Sequence, residues 1–252
     1  MIKILLCGCN GRMGQVIVSC VEARDNCEIV AGIDISGKQK NTFPVFKCIG
    51  DFKDEADVVI DFSHPSGLDT LLEFAVKREI PTVIATTGYS EEQVQKIHQA
   101  SQKTALFFTA NMSIGINLVA DLIKRAATVL EDNFDIEIVE AHHSQKLDAP
   151  SGTANMLASA VIEGCNNSKT QVFDRHSKRQ KRDKDEIGMH SIRGGTIVGE
   201  HSVIFAGRDE IITISHSARS REIFAVGALN AALFMVGKPA QLYNMGDLIG
   251  KC

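Results

Sequence analysis

No stretch of this chain approaches the roughly 20 consecutive apolar residues needed to span a bilayer, so no transmembrane helix is expected. The apolar opening, residues 1–6, is too short for the hydrophobic region of a signal peptide and runs straight into a glycine-rich turn. An excess of one charge is also missing. Twenty-seven Lys and Arg against 31 Asp and Glu leave a formal charge of −4, which provides no basic field for nucleic acid. Cysteine-pairing signals are absent too: the seven cysteines are odd in number and include no Cys-x-x-Cys, and they read as reduced packing residues in a cytoplasmic chain. No internal repeat is present. What remains is a globular protein of 252 residues, 44% hydrophobic, long enough for one large or two modest domains.

The first motif is immediate. Ile2-Lys3-Ile4-Leu5-Leu6-Cys7 has the β-branched, apolar character of a buried parallel strand and breaks into Gly8-Cys9-Asn10-Gly11-Arg12-Met13-Gly14, after which Val16, Ile17 and Cys20 mark a helix. Glycines in this strand–loop–helix setting allow a tight turn, the approach of a pyrophosphate and close helix packing. A second strand over 28–33 ends in Asp34, twenty residues after Gly14, where a carboxylate can take the adenosine ribose hydroxyls. Asp34 repels a 2′-phosphate and favours NADH, whereas Ser36 and Lys38 stand close enough to accept NADPH; NADH is expected to be preferred, with NADPH as second cofactor. Arg12 is expected over the cofactor phosphates or nicotinamide rather than in a surface ion pair.

Strands over 56–61, 82–85 and 105–108 alternate with helices over 65–78 and from the capping box Ser90-Glu91-Glu92-Gln93 towards Ser101. This alternation predicts a doubly wound parallel sheet with ligands at the carboxyl ends of its strands. The loops Ser63-His64-Pro65, Thr86-Thr87-Gly88 and Thr109-Ala110-Asn111-Met112-Ser113 should therefore ring the nicotinamide, with His64 itself a turn residue.

After Asn111 the pattern changes. A long helix over 114–130 precedes Phe134, Ile136 and Ile138, which alternate with Asp135 and Glu137 as in a half-buried strand. In place of a further apolar alternation come His142, His143 and Lys146, and then a helix entered through Pro150-Ser151-Gly152-Thr153 and running to about Glu163. Six chemically useful residues, His142, His143, Lys146, Ser151, Gly152 and Thr153, fall within twelve positions. Adjacent residues of an extended segment point to opposite sides, so one histidine can face a reacting atom while the other grips a substituent. Lys146 adds a compact cation. The helix start offers unpaired N–H groups to a carboxylate or phosphate, with hydroxyls from Ser151 and Thr153; the plainer alternative makes Ser151 an N-cap only. A charged run over 176–186 is expected as a solvated, mobile loop rather than a lid. Strands over 187–192, 196–205 and 210–217 follow, with Arg193-Gly194-Gly195 and Gly207-Arg208-Asp209 as hairpin turns, giving a mixed or antiparallel second sheet. An apolar helix over 221–236 closes the pattern.

Together, Gly8-Cys9-Asn10-Gly11-Arg12-Met13-Gly14, the stretch from Glu140-Ala141-His142-His143 through Lys146 to Asp148-Ala149-Pro150-Ser151-Gly152-Thr153-Ala154, Gly199-Glu200-His201 and Leu242-Tyr243-Asn244-Met245 resemble the dihydrodipicolinate reductase family over nearly the whole chain. The resemblance implies an NADH- or NADPH-dependent reductase of the diaminopimelate route to lysine, typically a homotetramer assembled through the second domain's sheet. It implies an α/β fold: a Rossmann-type doubly wound parallel sheet over 1–112 and 222–252, plus an α+β domain with a mixed sheet over 113–221 for substrate and oligomerisation. On matching positions it makes His142 the acid/base residue and Lys146 a proton donor, with His143, Ser151, Gly152, Thr153 and Thr87 towards a small dicarboxylate. Cofactor contacts would fall on Gly8, Cys9, Asn10, Gly11, Arg12, Met13, Gly14, Asp34, Ala85, Thr86, Thr87, Thr109, Ala110, Asn111 and Met112. Two departures stand out: Ala85 replaces a frequent glycine, and Ile35 replaces the basic residue that often follows the acidic one, which weakens the case for NADPH.

Other two-domain dehydrogenases share the glycine loop but lack the His-His-x-x-Lys to Ser-Gly-Thr cluster, and a dinucleotide-sensing regulator would lack the proton donors. A zinc site from His142, His143, His201 and His216 is not expected, because adjacent histidines diverge and no cysteine pair joins them. Hinges near Met112-Ser113 and Arg221 are expected to let two lobes close on the substrate and exclude water.

Overall fold

The computed structural model describes residues 1–250, which form two compact units, Met1–Ser113 with the segment from Arg221 onward, and Ile114–Ser220. In chain order the first unit begins with β1 (Ile2–Cys7), α1 (Arg12–Glu22), β2 (Cys27–Ile33), β3 (Val45–Phe46), β4 (Val58–Asp61), α2 (Leu68–Arg78), β5 (Thr82–Ile84), α3 (Glu91–Ala100) and β6 (Ala105–Phe108). The second holds α4 (Ile114–Leu130), β7 (Asp135–His142), α5 (Gly152–Gly164), β8 (Thr170–Val172), β9 (Glu186–Arg193), β10 (Gly199–Ala206) and β11 (Ile211–Ala218). The chain then returns to the first unit as α6 (Glu222–Met235), β12 (Gln241–Tyr243) and α7 (Met245–Ile249).

The sheet of the first unit runs β12-β6-β5-β4-β1-β2-β3, all parallel. Helices on both faces explain why its central strands read as unbroken apolar runs: Ile4, Leu5, Leu6, Val58, Val59 and Ile60 have no exposed surface. The capping box at α3 forms as expected, with Ser90 Oγ accepting from Gln93 N and the Gln93 side chain returning to Ser90 N. α6 is hydrophobic on nearly every side because it packs against α1 and across β4, β5 and β6. Beyond it, β12 adds a seventh strand beside β6 that the tail sequence did not announce.

The second sheet is mixed, in the order β11-β10-β7-β9-β8. β10 pairs antiparallel with both β11 and β7, while β7–β9 and β9–β8 are parallel. α4 and α5 cover one face, packing Ile116, Ile123, Leu157 and Val161 onto Ile136, Ile138, Ile187, Met189, Val203 and Phe205. The other face carries Glu137, His190, Ile192 and Ile211, the last two 52% and 69% exposed. Two expectations need correction. Gly207-Arg208-Asp209 does join paired strands, but Arg193-Gly194-Gly195 is no hairpin turn, since β7 lies between β9 and β10. That connection crosses the end of β7, where Gly194 N donates to His142 O at 2.9 Å and Ser144 N to Gly195 O at 3.2 Å. The charged run is also not wholly solvated. Arg182 lies on β7, bonded to Asp135 and Glu137 at 2.9 and 3.0 Å and to the Ile136 carbonyl, and Arg175 pairs with Glu186.

Candidate active site

In the first unit, two cavities open near the carboxyl ends of the parallel strands, where ligands of such sheets bind. The first, about 360 Å³, is lined by Gly8, Gly11, Ile33, Asp34, Ile35, Lys47 and the start of α2. Here the glycines are required by space. Gly8 has φ +77°, and a Cβ would stand 2.3 Å from Phe62 O; at Gly14 a Cβ would stand 2.2 Å from Gly8 O. The loop is thus folded hard against the next strand end and the start of α1, a shape that fits a pyrophosphate on backbone N–H groups. Asp34 is held by Ser36 N at 3.0 Å, Ser36 Oγ at 2.6 Å and Asn10 N at 3.3 Å. Burial raises its pKa, but these donors outweigh it and the net shift is downward, so the carboxylate is ready to accept ribose hydroxyls. Arg12 is exposed at the head of α1 and in no ion pair among the described residues. His64 is the expected turn residue, its Nδ1 accepting from Ser66 N at 3.2 Å.

The second cavity, about 290 Å³, is lined by Met13, Phe62, Ala85, Thr87, Thr109, Ala110, Asn111, Met112 and Phe224. It gathers two of the three loops expected around a nicotinamide, Thr86-Thr87-Gly88 and Thr109–Ser113, whereas Ser63 and His64 line the first cavity; two further side chains expected at the cofactor are turned away. Thr86 is buried and donates to Asp61 Oδ2 at 2.7 Å, and Cys9 is fully buried, so both can offer a ligand only backbone. Asp61 is the hub that the sequence reading missed. At the end of β4 it accepts from Ser63 Oγ, Thr86 Oγ1 and Tyr89 OH, fixing the β4 and β5 loops together. Burial pushes its carboxyl up against the pull of those donors.

In the second unit, β7 is the central strand, and its period of two carries Ile136, Ile138, Glu140 and His142 on the covered face. The parallel register sets Arg193 beside His142 from β9, and β10 starts on the other flank with Gly199 and His201. Glu140, only 1% exposed, accepts from Arg193 Nη1 at 2.9 Å, Arg193 Nη2 at 2.7 Å, Ser151 N at 3.3 Å and His142 Nδ1 at 2.5 Å. Burial would raise its pKa, yet the Arg193 fork, with Ser191 and His142, takes it down to about 2. An ionised carboxylate can only accept, so His142 Nδ1 carries a hydrogen and Nε2 is the ring atom left for chemistry. A Cβ at Gly199 would come within 3.1 Å of that Nε2; glycine keeps the approach open.

On the other side, His201 stacks edge-on to His142 with centroids 5.2 Å apart, and its Nε2 lies 3.0 Å from Ser151 Oγ. Burial first, and then the charge of His142, pushes His201 down to about 4, which keeps it neutral near pH 7. Ser151 Oγ also accepts from Ala154 N at 3.1 Å, and the residue is 1% exposed. Its hydroxyl is therefore the N-cap of α5 and a partner of His201, not a donor to ligand. Gly152, the first residue of α5, has nothing within 4 Å of a would-be Cβ, so no internal packing demands glycine there and open space faces its backbone. Lys146 Nζ sits 2.8 Å from Asp148 Oδ1 in the loop leading to α5, and His143 is partly buried. Asp148 is held below the usual carboxylate range, chiefly by Lys146 against its desolvation, with further help from the Gly152 N–H.

A glycine loop on a parallel sheet, with two cavities near the carboxyl ends of its strands, and a second unit that orients an imidazole on a buried carboxylate suit a nicotinamide-dependent oxidoreductase. A profile of the N-terminal region of dihydrodipicolinate reductase matches residues 2–112, and one of its C-terminal region matches residues 115–249. The chain belongs to the dihydrodipicolinate reductase family. It is 51% identical to 4-hydroxy-tetrahydrodipicolinate reductase of Caldanaerobacter subterraneus subsp. tengcongensis over 255 residues, spanning 100% of this chain and 99% of that protein. It is 48% identical to the enzyme of the same name from Clostridium tetani, over 99% of this chain and 97% of that one. Among solved structures, dipicolinate-bound dihydrodipicolinate reductase from Paenisporosarcina sp. TG-14 aligns with a TM-score of 0.82 at 26% identity, covering 99% of this chain and 100% of that one.

Proposed function

We propose that the protein reduces 4-hydroxy-tetrahydrodipicolinate to tetrahydrodipicolinate in the diaminopimelate route to lysine, in the cytoplasm. The first unit holds the dinucleotide and the second the dicarboxylate. The observation that carries this reading is the Glu140–His142 pair tied to the start of α5 through Ser151 N: an oriented proton donor at a helix start suited to carboxylates. The substrate's 4-hydroxyl leaves as water to give an unsaturated ring carbon, to which a nicotinamide held in the first unit would supply hydride. The negative charge left on the neighbouring atom needs a proton, and His142 Nε2 or Lys146 Nζ delivers it. Glu140 keeps His142 in the required tautomer and orientation. His143, the Gly152-Thr153 backbone and Lys146 hold the substrate carboxylates. A coupled assay fed by the upstream synthase product and followed by nicotinamide absorbance tests the reading; no turnover with either dinucleotide overturns it.

NADH is the preferred cofactor in this proposal. Asp34 stands at the ribose end of its cavity with Ile35, not a cation, following it, so a 2′-phosphate would meet a carboxylate with no compensating charge at that position. Asp34→Ala is expected to weaken NADH binding more than NADPH binding. Dissociation constants of the opposite order would remove the assignment. The open face of the second sheet, with Ile192 and Ile211 exposed, supports assembly into a homotetramer. Light scattering on the purified protein should give four times the 27.4 kDa chain mass, and a monomer would contradict it.

A further inference from the structure

We infer that Asp148 is a resident carboxylate that occupies a substrate-carboxylate seat in the second unit and must be displaced when the dicarboxylate binds. The inference rests on the substrate reading above. Its carboxylate lies 2.8 Å from Lys146 Nζ, and the Gly152 N–H, the first donor of α5, helps to keep it ionised. A ligand carboxylate needs the same two groups: an ammonium and a helix-start N–H facing open space. Substrate and Asp148 therefore compete for one position, and like charge prevents them from sharing it.

Two carboxylates contact this helix start, and they differ in what they can give up. Glu140 is buried under four donors, so removing it from them would leave Arg193 and the Ser151 N–H without their partner. Asp148 has 57% of its side chain exposed, and Lys146 21%. An exposed ion pair contributes little, and water solvates the departing carboxylate. Asp148 thus pairs with Lys146 without binding it so firmly that substrate cannot displace it. It also makes the site selective: a ligand without a carboxylate gains nothing that Asp148 does not already supply.

The test measures binding of pyridine-2,6-dicarboxylate (dipicolinate) by calorimetry to full-length wild-type protein and to Asp148→Asn and Asp148→Ala, with NADH binding as control. Both variants should bind dipicolinate about 2- to 5-fold more tightly, the size of a lost exposed ion pair, with the NADH dissociation constant unchanged. Unchanged or weaker dipicolinate affinity in both variants, with unaltered melting, would overturn the inference and make Asp148 a support for Lys146. A parallel gain in NADH affinity would overturn it as well, because the effect would then not be local to the seat. Wild-type protein that binds no dipicolinate and turns over no substrate would instead remove the substrate reading itself, and this inference with it.

Discussion

His142→Gln is expected to lower kcat by roughly 10²–10⁴-fold, the usual contribution of a positioned proton donor, while the dissociation constant for NADH stays nearly unchanged. Glutamine keeps polarity and approximate size at the end of β7 but cannot cycle a proton at the position of Nε2. His142 lines neither dinucleotide cavity, so the change removes no side chain that holds the cofactor there. Lys146→Met should lower kcat by a similar order, since it removes the other donor, and should also raise KM for the dicarboxylate it helps to hold. His143→Ala should instead chiefly raise KM, separating binding from chemistry. Steady-state kinetics with dinucleotide binding measured by fluorescence distinguishes the classes. If all three variants lost only NADH affinity, the stretch would be a cofactor element and the division of roles would fail.

What the sequence made legible follows from the range of the interactions involved. β1, the glycine loop and α1 depend on neighbours a few positions apart, and the pattern of apolar residues and glycines marks them. The helix expected over 114–130 has the same ends in the fold, and the capping box of α3 is local by construction. By contrast, Arg193 meets Glu140 across 53 positions and His201 meets Ser151 across 50, contacts that exist only because β7 is inserted between β9 and β10. That insertion was hidden because Arg193-Gly194-Gly195 has the composition of a hairpin turn whether or not the flanking strands pair. Glu140 stood within the motif that carried the family resemblance, but nothing local told that it would be buried and ionised. The charged run misled for the same reason: Arg182 finds Asp135 and Glu137 more than forty positions away. β3, β8 and β12 have two or three residues each, too short for a period-2 pattern to register.

Glu140→Gln is expected to give the largest combined loss of stability and activity. Removing one partner from a buried ion pair typically costs about 3–5 kcal/mol, because the other charge stays behind without compensation. Here Arg193 would keep its place beside the neutral amide and the Asp148 carbonyl. The amide can still accept from His142 Nδ1 through its oxygen, but its NH₂ can face the ring instead, so the imidazole is no longer held in one orientation and tautomer. kcat should therefore fall while KM for the dicarboxylate changes less. The pH dependence provides a second readout with a definite sign. Glu140 is held at about 2 in the folded protein against an ordinary 4.5, so it binds its proton less readily folded than unfolded. Its contribution to stability is present above the ordinary value and is lost as pH falls through the folded value. Wild-type protein should thus lose stability from about pH 4.5 down towards pH 2, and Glu140→Gln should be less stable at pH 7 but lack that part of the slope. Urea denaturation at pH 3, 4, 5 and 7 would compare the two curves. A variant as stable as wild type at pH 7, with the same acid slope, would show that Glu140 contributes no net charge stabilisation at the end of β7.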